Sequence, residues 1–227
     1  MVFNGAVSMN RVINELRKRI AGEEFDFQVL MDSLREYEKP RDRITELLRR
    51  KEIIRVKKGI YVFGEDYARR PASKEILANM IYGPSYISLD YALSYYGLIP
   101  ERVEAITSVT IKRSRRFSTP IGFFIYRGIP IKAYQTGIDQ ITLEDGRSFL
   151  IAAPEKALCD KIDQDRGSAI RTQAEMRTYL FENLRIDAGE IRKLNDGAVL
   201  EIAKAYRSRK INLLGAVIRQ LAREKTS

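Results

Sequence analysis

At 227 residues the chain can bury one large core or two small ones, and its 44% hydrophobic and 31% charged content is that of an ordinary globular protein. A formal charge of +10 favours an anionic partner, nucleic acid first. With no histidine, Ser-His and Cys-His catalytic pairs are excluded; with Cys159 the single cysteine, an internal disulfide is excluded too and a structural zinc site is disfavoured. Carboxylate chemistry stays open.

No apolar run approaches the roughly 18–20 residues that cross a bilayer. The opening MVFNGAVSMNRVINELRKRI lacks the long apolar stretch and small-residue cleavage site of an export signal. Lone-cysteine usage fits a reducing compartment, so a cytoplasmic protein is expected. The charge is patched. Residues 39–58 hold nine Lys/Arg against three Asp/Glu, residues 102–132 seven against one, and residues 185–227 ten against five.

Along the chain, RVINELRKRI places Val12, Ile13, Leu16 and Ile20 at helical spacing, and FQVLMDSLREY repeats the pattern from Val29 to Tyr37. After Pro40, Ile44, Leu47 and Leu48 mark a third helix over roughly Arg41–Lys51. Next, IIRVKKGIYVF alternates, and Lys58-Gly59 between two β-rich runs is a hairpin signal, Gly59 supplying the positive φ. Three helices followed by a basic hairpin is the order of a winged helix-turn-helix.

The polar stretch around Pro71 sets a boundary between residues 1–70 and 71–227. Beyond it, SKEILANMIYG reads as a helix closed by Gly83. Ser88 is placed as the N-cap of a helix over Leu89–Tyr96, with Gly97 after it and Pro100 as a stop. EAITSVTI, GFFIYRGI, PIKAYQT and RSFLIAA read as strands, with TPIG and EDG as turns. From Pro154, suited to a first helical turn, the chain reads as helical through PEKALCDKI, QAEMRTYLFENL, AGEIRKLN and AVLEIAKAYRSRKINLLGAVIRQLAREK.

With Ile44, Leu47 and Leu48 turned inward, a step of about 100° per residue puts Arg43, Thr45, Glu46, Arg49 and Arg50 on the outer half of the third helix. Arginines there can reach guanine edges or phosphates in a major groove. The hairpin adds Arg55, Lys57 and Lys58, which would hold the duplex backbone. The candidate DNA contacts are therefore Arg41, Arg43, Thr45, Arg49, Arg50, Lys51, Arg55, Lys57 and Lys58. The plainer reading is a solvated face: Glu46 and Arg50 form an ordinary i,i+4 pair, and Asp42 and Glu46 place negative charge on the reading surface.

KRSRRF supplies a second basic patch, Lys112, Arg113, Arg115 and Arg116, beside Phe117. It can meet phosphates or an acidic partner, or simply keep a hairpin soluble. PEKALCDKI contains Glu155, Lys156 and Asp160, yet Glu155 and Lys156 are adjacent rather than in the E-x-K spacing of a nuclease core. Glu155 at a helix start, with Ala157, Leu158 and Ile162 facing a core, fits better. Cys159 reads as a small buried hydrophobe. Tyr86, Tyr91, Tyr95 and Tyr96 read as packing residues before base-stacking ones.

Four segments, in order, carry a resemblance to the AbiEi family of antitoxins and transcriptional repressors of bacterial type IV toxin–antitoxin systems. RDRITELLRRKEIIRVKKGIYVF is similar to the family's N-terminal winged-helix unit, and SYISLDYALSYYGLIPE to a segment of its second domain. SVTIKRSRRFSTPIGFFIYRGIP resembles its basic strand and hairpin, and IAAPEKALCDKI its A-x-PEKAL-x-D helix start. The resemblance covers roughly residues 25–165; the helical tail matches in character only. Tyr96 stands where the family often has a histidine. The resemblance implies negative autoregulation through the winged helix. It also implies an AbiEii-type nucleotidyltransferase toxin as functional partner, usually without a stable complex, and a second domain carrying much of the antitoxic activity.

The expectation is an α+β protein. An N-terminal winged helix-turn-helix over 1–70 precedes an α+β domain over 71–227 with a small antiparallel sheet and C-terminal helices. It would be a non-enzymatic regulator binding double-stranded DNA at its own promoter, with no cofactor, metal or membrane. The alternatives are a stand-alone winged-helix regulator without a toxin, and an RNA-binding or processing protein.

Overall fold

A computed structural model describes the backbone of residues 4–224 and the side chains from Arg11 to Glu224. The fold is mixed α+β and divides into two compact units, residues 1–81 with 119–121, and residues 82–118 with 122–227. The last helix of the first unit, α4 (Lys74–Ile81), lies beyond the boundary read at Pro71. It is tied into that unit by Lys57 Nζ, which donates to Ile81 O at 2.6 Å, and by Ser73 N, which donates to the Glu24 carboxylate.

The first unit packs α1 (Asn4–Arg19), α2 (Phe27–Ser33) and α3 (Pro40–Arg49) on a three-stranded antiparallel sheet of β1 (Glu24–Asp26), β2 (Ile53–Lys57) and β3 (Ile60–Phe63), in the order β1-β3-β2. Val12, Ile13, Leu16 and Ile20 of the first helical stripe meet Leu30, Leu34, Ile44, Leu47, Ile53 and Phe63 in one core, so the periodicity read from sequence is the periodicity that is buried. Helix α2 is shorter than its apolar pattern. Asp26 caps its start by accepting from Val29 N at 2.8 Å, and the Ser33 hydroxyl turns back to Val29 O at 2.8 Å where the helix ends.

Pro40 opens α3 at a position that needs no N–H. Its other end closes without glycine: Lys51 takes a left-handed φ of 57°, and Lys51 N and Glu52 N bond back to Leu48 O and Leu47 O at 3.1 and 3.0 Å. The chain then enters β2 directly. The turn into β3 is made at Lys58-Gly59, Gly59 having φ +87°. Strand β1 has three residues, too few for alternation to show in sequence, and it is held by pairing with β3 from Glu24↔Val62 to Asp26↔Ile60.

The second unit is built on a six-stranded mixed sheet, which replaces the small antiparallel sheet expected. Its strands are β4 (Ser85–Ile87), β5 (Ile106–Thr110), β6 (Arg115–Thr119), β7 (Gly122–Gly128), β8 (Ile138–Thr142) and β9 (Ser148–Ala152), in the order β6-β7-β5-β4-β9-β8. The β4–β5 and β8–β9 pairs are antiparallel; β4–β9 and β5–β7 are parallel. Helix α5 (Leu89–Tyr95) links the antiparallel β4 and β5, and the β6–β7 hairpin brings β7 back beside β5 in the same direction, which makes that pair parallel.

PIKAYQT does not form a strand. Pro130 leads into a single helical turn, α6 (Ile131–Tyr134), whose Tyr134 N bonds to Pro130 O at 3.0 Å. The remainder is helical: α7 (Pro154–Gln164), α8 (Gln173–Thr178) running into a π turn at Tyr179–Asn183, α9 (Ala188–Lys193), α10 (Asp196–Tyr206) and α11 (Arg209–Glu224). The apolar pattern alone predicts the last two as one run. Arg207 adopts a left-handed φ of 55° and divides them; the final Lys225 of that run lies outside the described residues. Among the described residues, no helix is long and apolar enough to cross a membrane.

Candidate nucleic-acid interface and a buried charge network

On α3, burial of Ile44 and Leu47 turns Arg41, Thr45 and Arg49 to solvent, with Arg43 half-buried. Thr45 Oγ1 donates to Arg41 O at 3.1 Å, so its hydroxyl is already engaged with the helix. Arg49 is held by Glu46 rather than standing alone: Nε and Nη2 reach the two carboxylate oxygens at 2.8 and 2.5 Å. The hydrogen bond from Arg49 holds the Glu46 carboxyl below the usual carboxylate range. The i,i+4 pair expected between Glu46 and Arg50 is absent from this arrangement. Arg50 Nε lies 2.9 Å from Glu52 Oε1 instead, and burial raises the Glu52 carboxyl.

Following α3, Lys51 and Arg55 are exposed. Lys57 and Lys58 adjoin the turn but differ in use. Lys57 is half-buried and caps the C-terminal end of α4 through Ile81 O, where a cation is favourable, whereas Lys58 is exposed at the tip beside Gly59. The first unit therefore places one helix face with Arg41 and Arg49 and one hairpin with Arg55 and Lys58 in immediate succession.

The second basic patch splits between a loop and a strand. Lys112 and Arg113 lie in the loop after β5, and Arg115 and Arg116 open β6, the outermost strand on its side of the sheet. Lys112 Nζ donates to Gly83 O at 2.5 Å and sits 5.4 Å from the centre of the Tyr82 ring, over which Arg115 also lies at 5.6 Å. Tyr82, Phe117 and Tyr126 form an aromatic cluster with ring centres 5.3–5.7 Å apart. Arg113 and Arg116 are exposed.

In the second unit the PEKALCD segment holds a group of residues that sequence reasoning did not connect. Pro154 starts α7, and Ala157, Leu158, Cys159 and Ile162 are buried as expected. Burial pushes the Cys159 thiol well up, as for an inert core cysteine. Lys156 and Asp160, one turn apart, are fully buried and ion-paired. Asp160 also accepts from Ser88 Oγ at 2.7 Å, Tyr86 Oη at 3.3 Å and Tyr206 Oη at 2.5 Å. Lys156 Nζ lies 3.3 Å from Tyr206 Oη and 4.4 Å from the centre of that ring.

Ser88 thus does not cap α5 with its side chain; its hydroxyl goes to Asp160. Burial first, and the Asp160 charge second, raise the Tyr86 and Tyr206 phenols far above their ordinary range, which keeps both as neutral donors. Gly137, at φ +67°, leaves room for the lysine: a Cβ there would stand 2.8 Å from Lys156 Cβ. Glu155, at the first turn of α7, accepts from Asn195 N at 2.8 Å, so the three groups of the nuclease reading do not converge on one open cleft. Among the described residues no cluster of three or more His, Cys, Asp or Glu is set to hold a metal ion.

Of the four tyrosines, Tyr86 is buried in this network, Tyr91 is half-buried, Tyr95 is 46% exposed and packs edge-on against Tyr96, and burial pushes Tyr96 up to about 12. No family model matches the chain, and no curated protein matches it.

Proposed function

We propose that the protein is a winged-helix transcriptional regulator that binds double-stranded DNA at its own promoter. In this reading α3 enters the major groove and the β2–β3 hairpin is the wing. The observation that carries it is the direct succession, within one unit, of an exposed Arg41/Arg49 helix face and an exposed Arg55/Lys58 hairpin, in a chain of formal charge +10. Arg41 and Arg49 face bases or the groove rim; Arg55 and Lys58 hold phosphates and fix register. The ordered resemblance of four segments extends the reading. The protein is a non-enzymatic, cytoplasmic antitoxin of a type IV pair, and counteracts a nucleotidyltransferase toxin without a stable complex.

The test has two arms. Footprinting of the full chain on DNA upstream of its own gene is expected to give a protected site. Arg49→Ala is expected to lose about 1–3 kcal/mol there and less on random duplex, the mark of a base contact. Co-expression with a neighbouring nucleotidyltransferase is expected to restore growth. A footprint without rescue leaves a stand-alone regulator; rescue without a footprint removes the winged-helix reading.

A further inference from the structure

The two faces of the β6–β7 hairpin use their side chains differently. Strand alternation puts Arg115 and Phe117 on the face that joins the Tyr82–Tyr126 cluster, where Arg115 and Lys112 already lie over the Tyr82 ring. The opposite face carries Arg116 and Ser118 from β6, with Phe123, Ile125 and Arg127 from β7. There Phe123 is 63% exposed, Arg116 is exposed, and Ile125 and Arg127 are half-buried.

The neighbouring strand explains where this open face begins. Ile125 and Arg127 pair with Thr107 and Val109 of β5, both buried, and Tyr91 N of α5 donates to Thr107 Oγ1 at 3.0 Å. Helix α5 therefore covers β5 but leaves β6 and β7 open. An aromatic ring held in water on a strand gains nothing from the fold, and residues 102–132 around it contain seven Lys/Arg against one Asp/Glu. Arg127 stands two alternations, about 13–14 Å, along β7 from Phe123, and Arg116 lies on the adjacent β6, both on the side of Phe123 away from the hairpin turn, so a backbone held by the arginines can run on to place a base over the ring.

We infer that this face binds single-stranded nucleic acid, with a base stacked on Phe123 and phosphates held by Arg116 and Arg127. A base offers a π-face to Phe123 and phosphates to the arginines at once; an acidic peptide would use the charge but leave the ring without a stacking partner. A duplex keeps its bases stacked inside and offers the ring none. This is a second site, separate from the α3–wing face, and it does not depend on the duplex-DNA reading of the first unit.

The test is fluorescence anisotropy of the full chain with labelled oligouridylate and oligothymidylate of about a dozen nucleotides, within the site size of such surfaces. A duplex of equal length serves as comparison. Both single strands are expected to bind, the uridylate and thymidylate arms showing whether RNA or DNA is preferred. Phe123→Ala is expected to weaken binding roughly tenfold, while Phe123→Tyr keeps it, since base stacking on one ring carries that order of effect. Arg116→Ala with Arg127→Ala is expected to flatten the salt dependence by about 1.4 in slope, two single-strand phosphates' worth.

Cooperative melting of each variant at the wild-type midpoint shows that the fold is intact. Phe123→Ala is also expected to leave the upstream-DNA footprint unchanged, so loss of this site and loss of the duplex site are told apart. The inference is overturned if the intact Phe123→Ala variant binds single strands as the wild type does, or if the duplex is bound as well as either single strand. It is likewise overturned if polyglutamate displaces the oligonucleotide equally well from both proteins, which would make the face an acidic-protein surface.

Discussion

Helices α3 and α7 each set an acid and a base about one turn apart, and the two pairs end in opposite environments. Arg49 and Glu46 on α3 have side chains 71% and 34% exposed; Lys156 and Asp160 on α7 are wholly buried. Water solvates the first pair nearly as well apart as together, and salt screens it, so it contributes little to stability. The second pair has lost its hydration. Its attraction offsets that loss only because hydroxyls from Ser88, Tyr86 and Tyr206 supply the remaining hydrogen bonds. Spacing on a helix decides that two charges meet; elements distant in sequence decide what the meeting is for. The α3 pair leaves its cation where a ligand can compete for it, while the α7 pair joins β4, α7 and α10 through one carboxylate.

The strongest challenge to this contrast removes one buried ion. Lys156→Met leaves Asp160 without its counter-charge in a dry site, and a loss of about 3–5 kcal/mol is expected in urea unfolding of the full chain. Replacing both residues, Lys156→Met with Asp160→Leu, is expected to recover much of it, because no charge is then left unpaired. Equal losses in the single and double variants would show that packing and the hydroxyls left without an acceptor, not the unpaired charge, set the cost.

A smaller effect probes the supporting hydroxyls. Tyr206→Phe removes a donor to Asp160 and is expected to cost about 1–3 kcal/mol. It also changes the alkaline limb. The Tyr206 phenol is raised in the folded protein, so above the ordinary phenol value of about 10 the unfolded chain loses a proton that the folded chain keeps, and stability falls as pH rises. Tyr206→Phe is expected to make that fall shallower, with Tyr86 still contributing; an unchanged slope would mean the phenol titrates alike in both states.

The contrast between the helices also explains what could be read in advance. The α3 stripe, the turn at Gly59 and the start of α7 at Pro154 are set by residues close in sequence, and all three lie where periodicity and turn chemistry place them. Strand β4 is three residues long, too short to show a period, and PIKAYQT carries strand-like residues that Pro130 leads into a helical turn. The network around Asp160 escaped for a different reason. Tyr206, Ser88 and Tyr86 lie 46, 72 and 74 residues away, and neither lysine nor aspartate signals burial by its own type. The one local hint was Lys156 and Asp160 at i,i+4 on the same side as Ala157 and Cys159, in a helix whose other buried residues are all apolar.

At the exposed end of the comparison, charge is expected to matter for binding and not for folding. Lys58→Glu at the turn should leave the melting midpoint near that of the wild type, since Lys58 is exposed. Binding to the upstream duplex is expected to weaken on specific and random sequences alike, with the salt slope shallower by about 0.9, one phosphate's worth. A drop confined to the specific site would turn Lys58 from a backbone contact into a reader of sequence.

The smallest expected effect on stability comes from releasing Arg49 without touching it. Glu46→Gln keeps the side-chain volume and removes the carboxylate that Arg49 now contacts through two nitrogens. Because the pair is exposed, thermal unfolding near neutral pH is expected to change little. The sign with pH is fixed. The Glu46 carboxyl sits below its usual range because Arg49 donates to it, so the pair's contribution is present above the ordinary carboxylate value and disappears as pH falls through the lowered one. The variant is therefore expected to lose that acid-side dependence. On duplex DNA the direction reverses from loss to gain. The wild-type guanidinium must leave Glu46 before it meets a phosphate or a guanine edge, and the acid beside it repels the duplex; in Glu46→Gln neither cost remains. Tighter binding with a salt slope no shallower than the wild type is the expected result in a titration at fixed pH. Weaker binding would mean that Glu46 holds Arg49 in the orientation in which it binds, and the α3 pair would then be a positioning device, as the α7 pair is.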